Sequence, residues 1–173
     1  MNNLLFHTMV SASVVIFQFD SLSTTEGWRI INDGVMGGKS TSMIAVNSEG
    51  NGVFQGKVIT NGGGFCSVRY NCNLEDVRKY RSMRIRVKGD GKTYQCRIVG
   101  NRGDYHQYTF SIDTNGEWEV IDIPLKKFTP IFRGQHLEIP KYDGRSIQEV
   151  GFLIADGQAG NFKLEIDRIG LLE

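Results

Sequence analysis

A two-residue alternation of apolar and charged side chains does most to limit the folds open to this chain. In the run SMRIRVK, Met83, Ile85 and Val87 alternate with basic residues, which is typical of a strand with one buried face and one solvated face. The runs TYQCRIV, YHQYTFSI, EWEVIDI and NFKLEIDRIGL continue this period. EVGFLIA is continuously apolar, as expected of a central strand. The sequence therefore predicts sheets along most of its length.

The segments between these runs are rich in glycine and asparagine, and the chain contains 21 glycines. The best helical candidate is LEDVRKY, from Leu74 to Tyr80, which is long enough for a turn or two. Short strands separated by such turns are typical of sandwiches and jelly rolls. We therefore predict an all-β fold, an antiparallel β-sandwich or jelly roll. A single domain over residues 14–173 is expected to follow a short tail over residues 1–13.

Two tight turns predict hairpins within this fold. GDGK separates SMRIRVK from TYQCRIV, and its glycines suit the positive φ values of a hairpin turn. If this hairpin pairs Lys88 with Thr93, Arg84 falls opposite Arg97. TNG joins YHQYTFSI to EWEVIDI in the same way, and Pro124 ends that strand.

Charge and cysteine content exclude several classes of protein. The 20 basic and 19 acidic residues give a net charge of +1, so the overall charge does not indicate a nucleic-acid or membrane surface. The three cysteines are odd in number and lack CxxC spacing, so neither a disulfide framework nor a zinc site is indicated. A reducing compartment is expected. Cys96, in phase with Tyr94 and Ile98, is expected to pack in the core.

The N-terminal stretch LLFHTMVSASVVIFQF is apolar, but no lysine or arginine precedes Arg29. A secretory signal and an arginine-rich mitochondrial presequence are therefore both disfavoured. Polar residues interrupt the stretch, so no transmembrane segment is expected. SVVIFQFD is predicted to be the first strand.

The segment NDGVMGGKS, from Asn32 to Ser40, is similar to a phosphate-binding loop in its glycine pair followed by lysine and serine. The motif GxxxxGK[ST] needs a glycine where Asp33 stands. It also needs a helix after the loop, whereas Met43 begins a short apolar run that ends in a turn. Nucleotide binding is therefore disfavoured, and the segment requires a different explanation.

Several motifs, taken in chain order, resemble a known family. They are WRIINDGVMGGKS, GVFQGKV, GGGFCSVRY, KGDGKTYQCRI, GEWEVIDIPLKKFTPIFRGQ and FKLEIDRI. From about Phe17 onward the chain resembles the complex I intermediate-associated protein 30 family, with NDGVMGGKS and the FRG of Phe132 to Gly134 as the most distinctive elements. The resemblance implies a jelly roll similar to galactose-binding domains. It also implies an assembly factor or chaperone-like scaffold for respiratory complex I, or for a similar membrane complex, rather than an enzyme.

The resemblance is closest to compact bacterial members of the family. Mitochondrial members carry a long N-terminal extension, and other relatives fuse the module to a dehydrogenase-like domain. The resemblance therefore implies a cytoplasmic location in a bacterium, with membrane association only through partners, and a mitochondrial location is disfavoured. It implies protein partners that are respiratory-complex subunits or assembly intermediates, and no cofactor is expected.

The NDGVMGGKS segment has two interpretations. Its glycines and polar side chains could serve only to stabilise a tight turn. Alternatively, Val35 and Met36 form an apolar tip that contacts a partner. Arg133 could bind the Asp33 carboxylate across the sandwich or bind an external ligand. The candidate partner-binding residues are Asp33, Val35, Met36, Lys39 and Arg133.

A basic strand face is the second candidate site, and its residues are Arg84, Arg86, Lys88 and Arg97. Like charges that face each other across a hairpin are destabilising unless an anion lies between them. That anion could be a glutamate of the EWEVIDI strand or a bound anionic, sugar or nucleic-acid ligand. A charged face that is simply solvated is the other interpretation.

Catalysis is not expected, and no metal site is predicted. The three histidines, His7, His106 and His136, are dispersed without metal-ligand spacing, and no local signature of a nucleophile with its histidine is present.

The sequence leaves two further ligand classes open. The alternative function is a carbohydrate-binding module of jelly-roll type, whose exposed rings would come from Trp28, Trp118, Tyr105 or Tyr142. Both tryptophans lie in strand-like runs and are expected to be core. Nucleic acid is not expected as a partner, but single-stranded RNA on the basic face stays a third hypothesis, which predicts steep salt dependence.

Overall fold

The computed structural model describes residues 13–173. Antiparallel strands dominate this part of the chain, and three single 3-10 turns, Asp33–Met36, Val77–Lys79 and Leu125–Lys127, connect some of them. The strands are β1 (Ser13–Gln18), β2 (Trp28–Asn32), β3 (Thr41–Val46), β4 (Gly52–Val58), β5 (Cys66–Glu75), β6 (Ser82–Gly89), β7 (Thr93–Val99), β8 (Gln107–Asp113), β9 (Trp118–Pro124), β10 (Thr129–Phe132), β11 (Gln135–His136), β12 (Ser146–Ile154) and β13 (Gly160–Leu172).

The strands form two sheets. Sheet A has the order β3-β4-β13-β6-β9, and β1 also pairs with the long strand β13. Sheet B has the order β11-β10-β8-β7-β12-β5-β2. The prediction of an all-β antiparallel sandwich of jelly-roll type is confirmed.

The inner faces of the two sheets enclose the core. Phe54 and Leu164 of sheet A and Tyr94 and Phe152 of sheet B are all fully buried. Removal of each such side chain from water stabilises the fold by about 1.5–3 kcal/mol. Cys96 is buried among them, as predicted, and burial raises the pKa of its thiol to about 12. Alternation in the sequence therefore placed Tyr94 and Leu164 correctly on the core side of their strands.

Both predicted hairpins are wrong. β6 pairs with β13 and β9 in sheet A, whereas β7 pairs with β12 and β8 in sheet B. β8 and β9 likewise belong to different sheets. GDGK and TNG therefore carry the chain from one sheet to the other. A crossing turn and a hairpin turn have the same sequence pattern, because either connection leaves one face of each strand on the core.

The remaining local predictions have mixed outcomes. SVVIFQFD contains β1, as predicted. LEDVRKY contributes its first two residues to β5 and forms only the single turn Val77–Lys79. The predicted tail, except Ser13, lies outside the described residues, and the domain boundaries stay predictions. Within residues 13–173, no helix is long and apolar enough to cross a bilayer.

Candidate functional site

The Asp33 carboxylate lies at the centre of the NDGVMGGKS segment and is fully buried. Its Oδ1 accepts a hydrogen bond from the Ser40 backbone N–H at 2.9 Å, and its Oδ2 accepts one from the Ser40 hydroxyl at 2.5 Å. Oδ2 also accepts from the backbone N–H groups of Gly64 at 2.6 Å and Phe65 at 3.3 Å. This carboxylate therefore closes the Asp33–Ser40 loop and ties it to the loop between β4 and β5.

Close packing around this carboxylate explains two of the glycines. A Cβ atom on Gly38 would lie 2.2 Å from Asp33 Cγ, and one on Gly63 would lie 2.5 Å from Asp33 Oδ2. Neither position has room for a side chain while the carboxylate stays in place. Gly38 of this motif, and Gly63 outside it, therefore allow the backbone to approach Asp33 closely.

Hydrogen bonding also determines the charge state of Asp33. Burial alone raises the pKa of the carboxyl group. The hydrogen bonds from Ser40, Gly64 and Phe65 outweigh that effect and hold the pKa below its ordinary value of 3.8. Asp33 is therefore an ionised internal anchor at neutral pH.

The opposite side of the same loop is exposed. The 3-10 turn Asp33–Met36 ends at Gly37, whose φ of +86° favours glycine. Val35 keeps 74% and Met36 keeps 60% of its surface exposed, and Lys39 is also exposed. The loop thus combines an internal anchor at Asp33 with an apolar tip at Val35 and Met36.

Arg133 does not bind Asp33, so the predicted clamp across the sandwich is wrong. The four hydrogen bonds to Asp33 come from Ser40, Gly64 and Phe65. The Arg133 guanidinium lies instead over the ring of Phe132, 5.1 Å from its centroid. Arg133 has a φ of +47° in the turn between β10 and β11, which projects this part of the FRG motif towards solvent.

A groove of about 640 Å³ crosses the outer face of sheet B beside the Asp33–Ser40 loop. Strands β2, β5, β12, β7, β8 and β10 supply the side chains of its floor. Its rim includes Val35 and Met36 of the loop together with the FRG turn and Tyr105. The groove thus brings the two most distinctive sequence motifs together on one surface.

Two arginines project from the floor of this groove. Arg69 of β5 and Arg97 of β7 both lie opposite Gly151 of the strand between them. Two strand spacings put their Cα atoms about 10 Å apart, and the glycine places no side chain between them. Both arginines line the groove. The strand position between the two arginines therefore carries no side chain.

Neither arginine has a carboxylate partner. Arg97 donates to the side-chain oxygens of Gln95 and Gln107 at 2.8 and 2.9 Å, and Arg69 donates to the Ser67 hydroxyl at 3.4 Å. No ion pair in residues 13–173 includes either guanidinium. The nearby Glu149 carboxylate pairs with Arg29 at 2.7 Å instead.

Burial is the largest influence on the pKa of both guanidinium groups. Burial and then the charge of Arg69 lower the pKa of Arg97 to about 10. The pKa of Arg69 is also lowered, mainly by burial. The Glu149 carboxylate acts in the opposite direction, and the charge of Arg29 lowers the pKa further. The folded protein therefore holds two partly desolvated cations without a direct anionic partner.

The predicted basic strand face is divided between two sheets. Arg84, Arg86 and Lys88 lie on β6 in sheet A, so the predicted opposition of Arg84 and Arg97 is wrong. Arg84 pairs in bidentate fashion with Asp122, at 2.6 Å for each contact. Arg86 pairs with Asp167 at 3.4 Å. Lys88 lies opposite Glu165 across the β6–β13 ladder. The three anions of this face come from β9 and β13, and none of them is a glutamate of the EWEVIDI run.

The four candidate sugar-stacking rings also have different environments. Trp28 and Tyr142 are buried in the core, as expected for Trp28. Trp118 is half-buried beneath the Arg86 guanidinium, 4.3 Å from it, so the expectation that it is core is wrong. Tyr105 is 63% exposed at the groove. Its ring meets that of Phe132 edge-on at 82°, so the two rings form no flat platform.

Sequence analysis missed the residues that give the groove its charge and polarity. Arg69, Gln95 and Gln107 alternate with core residues in β5, β7 and β8, so their outward direction was readable. Their common location depends on the order of strands in sheet B, which local sequence does not encode. Among the residues described, no cluster of three or more His, Cys, Asp or Glu side chains could hold a metal ion.

Sequence comparison decides which family this arrangement belongs to. The profile of the complex I intermediate-associated protein 30 family matches residues 17–166, which include the Asp33–Ser40 loop and the whole floor of the groove. The chain belongs to this family.

Relatives in the complex I intermediate-associated protein 30 family include two animal proteins. The mitochondrial member from Drosophila melanogaster is 25% identical over 186 residues, covering 91% of this chain and 62% of that protein. The mitochondrial member from Mus musculus is 22% identical over 182 residues, covering 91% of this chain and 55% of that protein. The chain thus spans little more than half the length of these relatives.

Solved structures with a similar fold include carbohydrate-binding modules. The family 11 module of a cellulosomal cellulase of Clostridium thermocellum superimposes with a TM-score of 0.68 at 20% identity, covering 90% of this chain and 92% of the module. A mutant family 29 module superimposes with a TM-score of 0.59 at 13% identity, covering 94% of this chain and 92% of the module. At these identities the likeness establishes the jelly-roll fold of this family member and nothing about its ligand.

Proposed function

We propose that this chain is a non-enzymatic protein-binding module that acts in the assembly of respiratory complex I or a similar membrane complex. Support for the process comes from its family, whose animal relatives are named as complex I intermediate-associated proteins. The observation that carries the binding role is the exposed apolar tip of Val35 and Met36, fixed beside the groove by the buried Asp33 carboxylate.

The geometry suits recognition of a protein segment. A contact surface needs exposed apolar area held in one conformation, because ordering a loose loop on binding costs conformational entropy. The network around Asp33 holds the tip before any partner arrives. Methionine adapts its shape to varied apolar partners. The groove alongside adds fixed hydrogen-bond donors, so tip and groove together form one continuous surface for a client.

Carbohydrate binding is the second candidate, and the exposed Tyr105 ring beside polar side chains favours it. A family 11 module of similar fold was solved in complex with a β-1,3-1,4-mixed-linked tetrasaccharide, at 18% identity and a TM-score of 0.62. Against this candidate, sugar stacking needs an open ring face, and Phe132 packs edge-on against Tyr105. Protein binding uses the apolar tip as well as the groove.

The proposed role places the chain where a respiratory complex is assembled, at the surface of the membrane that holds that complex. For a bacterial chain this is the cytoplasmic face, as the sequence resemblance implied. The relatives from fly and mouse are mitochondrial by name.

Affinity purification with quantitative mass spectrometry tests the proposal. The tagged chain is expressed in its native cells and compared with a Val35→Ala, Met36→Ala variant. A Met43→Ala, Val120→Ala variant is the matched control, because Met43 is 51% and Val120 is 60% exposed on sheet A. We expect subunits of complex I, or of another respiratory membrane complex, to co-purify with the unaltered chain and the control, and to be lost from the tip variant. Recovery of no such subunit, or equal recovery with both variants, would reject the proposal.

A further inference from the structure

The groove floor holds two positive charges in an arrangement that is unfavourable without a ligand. Like charges repel each other more strongly where water is partly excluded, and partial burial adds a desolvation penalty for each cation. Arg69 and Arg97 have no carboxylate partner, and Gly151 places no side chain between them. An anion at that position would relieve both penalties.

The arginines retain donors for such an anion. Arg97 uses Nε and one N–H on each terminal nitrogen for its contacts with Gln95 and Gln107, which leaves one N–H on each terminal nitrogen. Arg69 uses only Nε, for Ser67. Because Gln95 and Gln107 hold the Arg97 guanidinium in place, little ordering of that side chain is needed on binding. The terminal N–H groups of a guanidinium match the two oxygens of a carboxylate.

The surroundings of the arginines favour a peptide as the source of the carboxylate. Apolar side chains line the groove around the two charges, including Ile31, Phe65, Leu153, Ile131 and Phe132. They suit apolar side chains on either side of an acidic residue. A polyanion such as RNA needs a run of cations along its backbone, and the apolar tip and rim do not provide one.

We propose that the position between Arg69 and Arg97 is a carboxylate-binding site, occupied by an aspartate or glutamate side chain of an extended client segment whose apolar neighbours contact the groove walls. The inference rests on the proposed function for the identity of the occupant as a client protein. It adds the chemistry by which that client is selected.

Isothermal titration calorimetry with defined probes tests the site in the purified full chain. The first probe is a capped peptide of alternating leucine and glutamate, and the second replaces each glutamate by glutamine. Inorganic phosphate and galacturonate oligosaccharide are the third and fourth probes, which represent other sources of an anion. We expect the acidic peptide to bind at least ten-fold more tightly than the other three, because removing one member of a desolvated charge pair raises Kd strongly.

Arginine variants locate the binding. Arg97→Gln and Arg69→Gln should each weaken binding of the acidic peptide at least ten-fold, while Arg84→Gln on sheet A should leave it unchanged. Thermal melting of each variant confirms that it is folded, and loss in either groove variant suffices if the other does not fold. Equal binding of the acidic and neutral peptides, stronger binding of phosphate or galacturonate, or an equal loss in Arg84→Gln would each overturn the proposal.

This experiment is independent of the affinity purification. If client subunits co-purify through Val35 and Met36 but the acidic peptide does not bind the purified chain, the proposed function stands and the carboxylate site is rejected. If the acidic peptide binds through the two arginines but no respiratory-complex subunit co-purifies, the site stands as a peptide-binding site and the assembly role is rejected.

Discussion

The outer faces of the two sheets present arginines in opposite ways. On sheet A, Arg84 has Asp122 as a bidentate partner and Arg86 has Asp167. On sheet B, Arg69 and Arg97 lie in a groove and bind only neutral oxygens. The less solvated pair thus lacks the carboxylate partners that the more exposed pair has.

This difference separates exposed charge that is paired from partly buried charge that has no carboxylate partner. An exposed ion pair adds little stability, because water already screens both partners. A half-buried cation without an anion lowers stability, since its desolvation is not offset. A protein that retains two such cations in one groove gives up stability there, and a ligand of opposite charge restores it. We therefore propose the groove face as the functional face of the sandwich.

The largest expected effect concerns the anchor that shapes the groove rim. Asp33→Ala removes a buried acceptor and leaves several backbone donors unsatisfied, which should cost roughly 3 kcal/mol or more of unfolding free energy. At about 2–4 °C for each kcal/mol, calorimetry should record a drop in Tm of at least about 6 °C. Asp122→Ala on sheet A is the control and should lower Tm only slightly. Similar drops in Tm for Asp33→Ala and Asp122→Ala would show that Asp33 is no more important to stability than an exposed carboxylate of sheet A.

The loss of stability at acid pH should also depend on Asp33. The pKa of Asp33 in the folded protein is below its ordinary value of 3.8, so its contribution is complete above pH 3.8 and is lost as the pH falls through the lower, folded value. The stability difference between the unaltered chain and Asp33→Asn should therefore stay constant near neutral pH and shrink below about pH 4. Denaturant melts across this range measure it. A difference that does not change with pH would show that ionisation of Asp33 does not stabilise the fold.

Neutralising an arginine should change the stability of the fold in opposite directions on the two faces. Arg97→Gln removes an uncompensated cation and should raise the free energy of unfolding by about 1 kcal/mol. Arg84→Gln breaks an ion pair and should lower Tm slightly. Thermal melts of the two single variants make the comparison. A loss of stability in Arg97→Gln would mean that this guanidinium is a structural element and not a binding group.

The smallest expected effect is at the tip. Met36→Ala should change the free energy of unfolding by less than about 0.5 kcal/mol, because the side chain is exposed. Met43→Ala on sheet A, with similar exposure, is its control for both stability and client recovery. A loss in Met36→Ala as large as that in Asp33→Ala would show that the tip is part of the structural network and not a contact surface.

Sequence alone predicted the faces of the strands but not their order. Alternation correctly placed Ile85 and Tyr94 in the core and their polar or charged neighbours outside. It could not show that β6 and β7 belong to different sheets, since both connections satisfy the same pattern. The mistaken hairpin put Arg97 beside Arg84, and its true neighbour across Gly151, Arg69, went unnoticed.

The Asp33–Ser40 loop was recognised as distinctive, but its anchor was only partly readable. The spacing of glycines disfavoured a phosphate loop, and a turn role for Asp33 was one of the two interpretations. Its partners Gly64 and Phe65 lie 31 and 32 residues further along the chain. Long-range hydrogen bonds of this kind leave no local pattern. The sequence therefore left brace and contact as alternatives, whereas the structure assigns the brace to Asp33 and exposes Val35 and Met36.

Nuclear magnetic resonance of the arginine Nε–Hε groups tests the contrast between the faces most directly. The ¹⁵N-labelled chain is titrated with the capped leucine–glutamate peptide, and the four signals of Arg69, Arg97, Arg84 and Arg86 are assigned by single substitutions. We predict that the signals of Arg69 and Arg97 shift together and saturate, while those of Arg84 and Arg86 stay in place. Unchanged signals for the groove pair, or equal shifts of all four, would contradict the account.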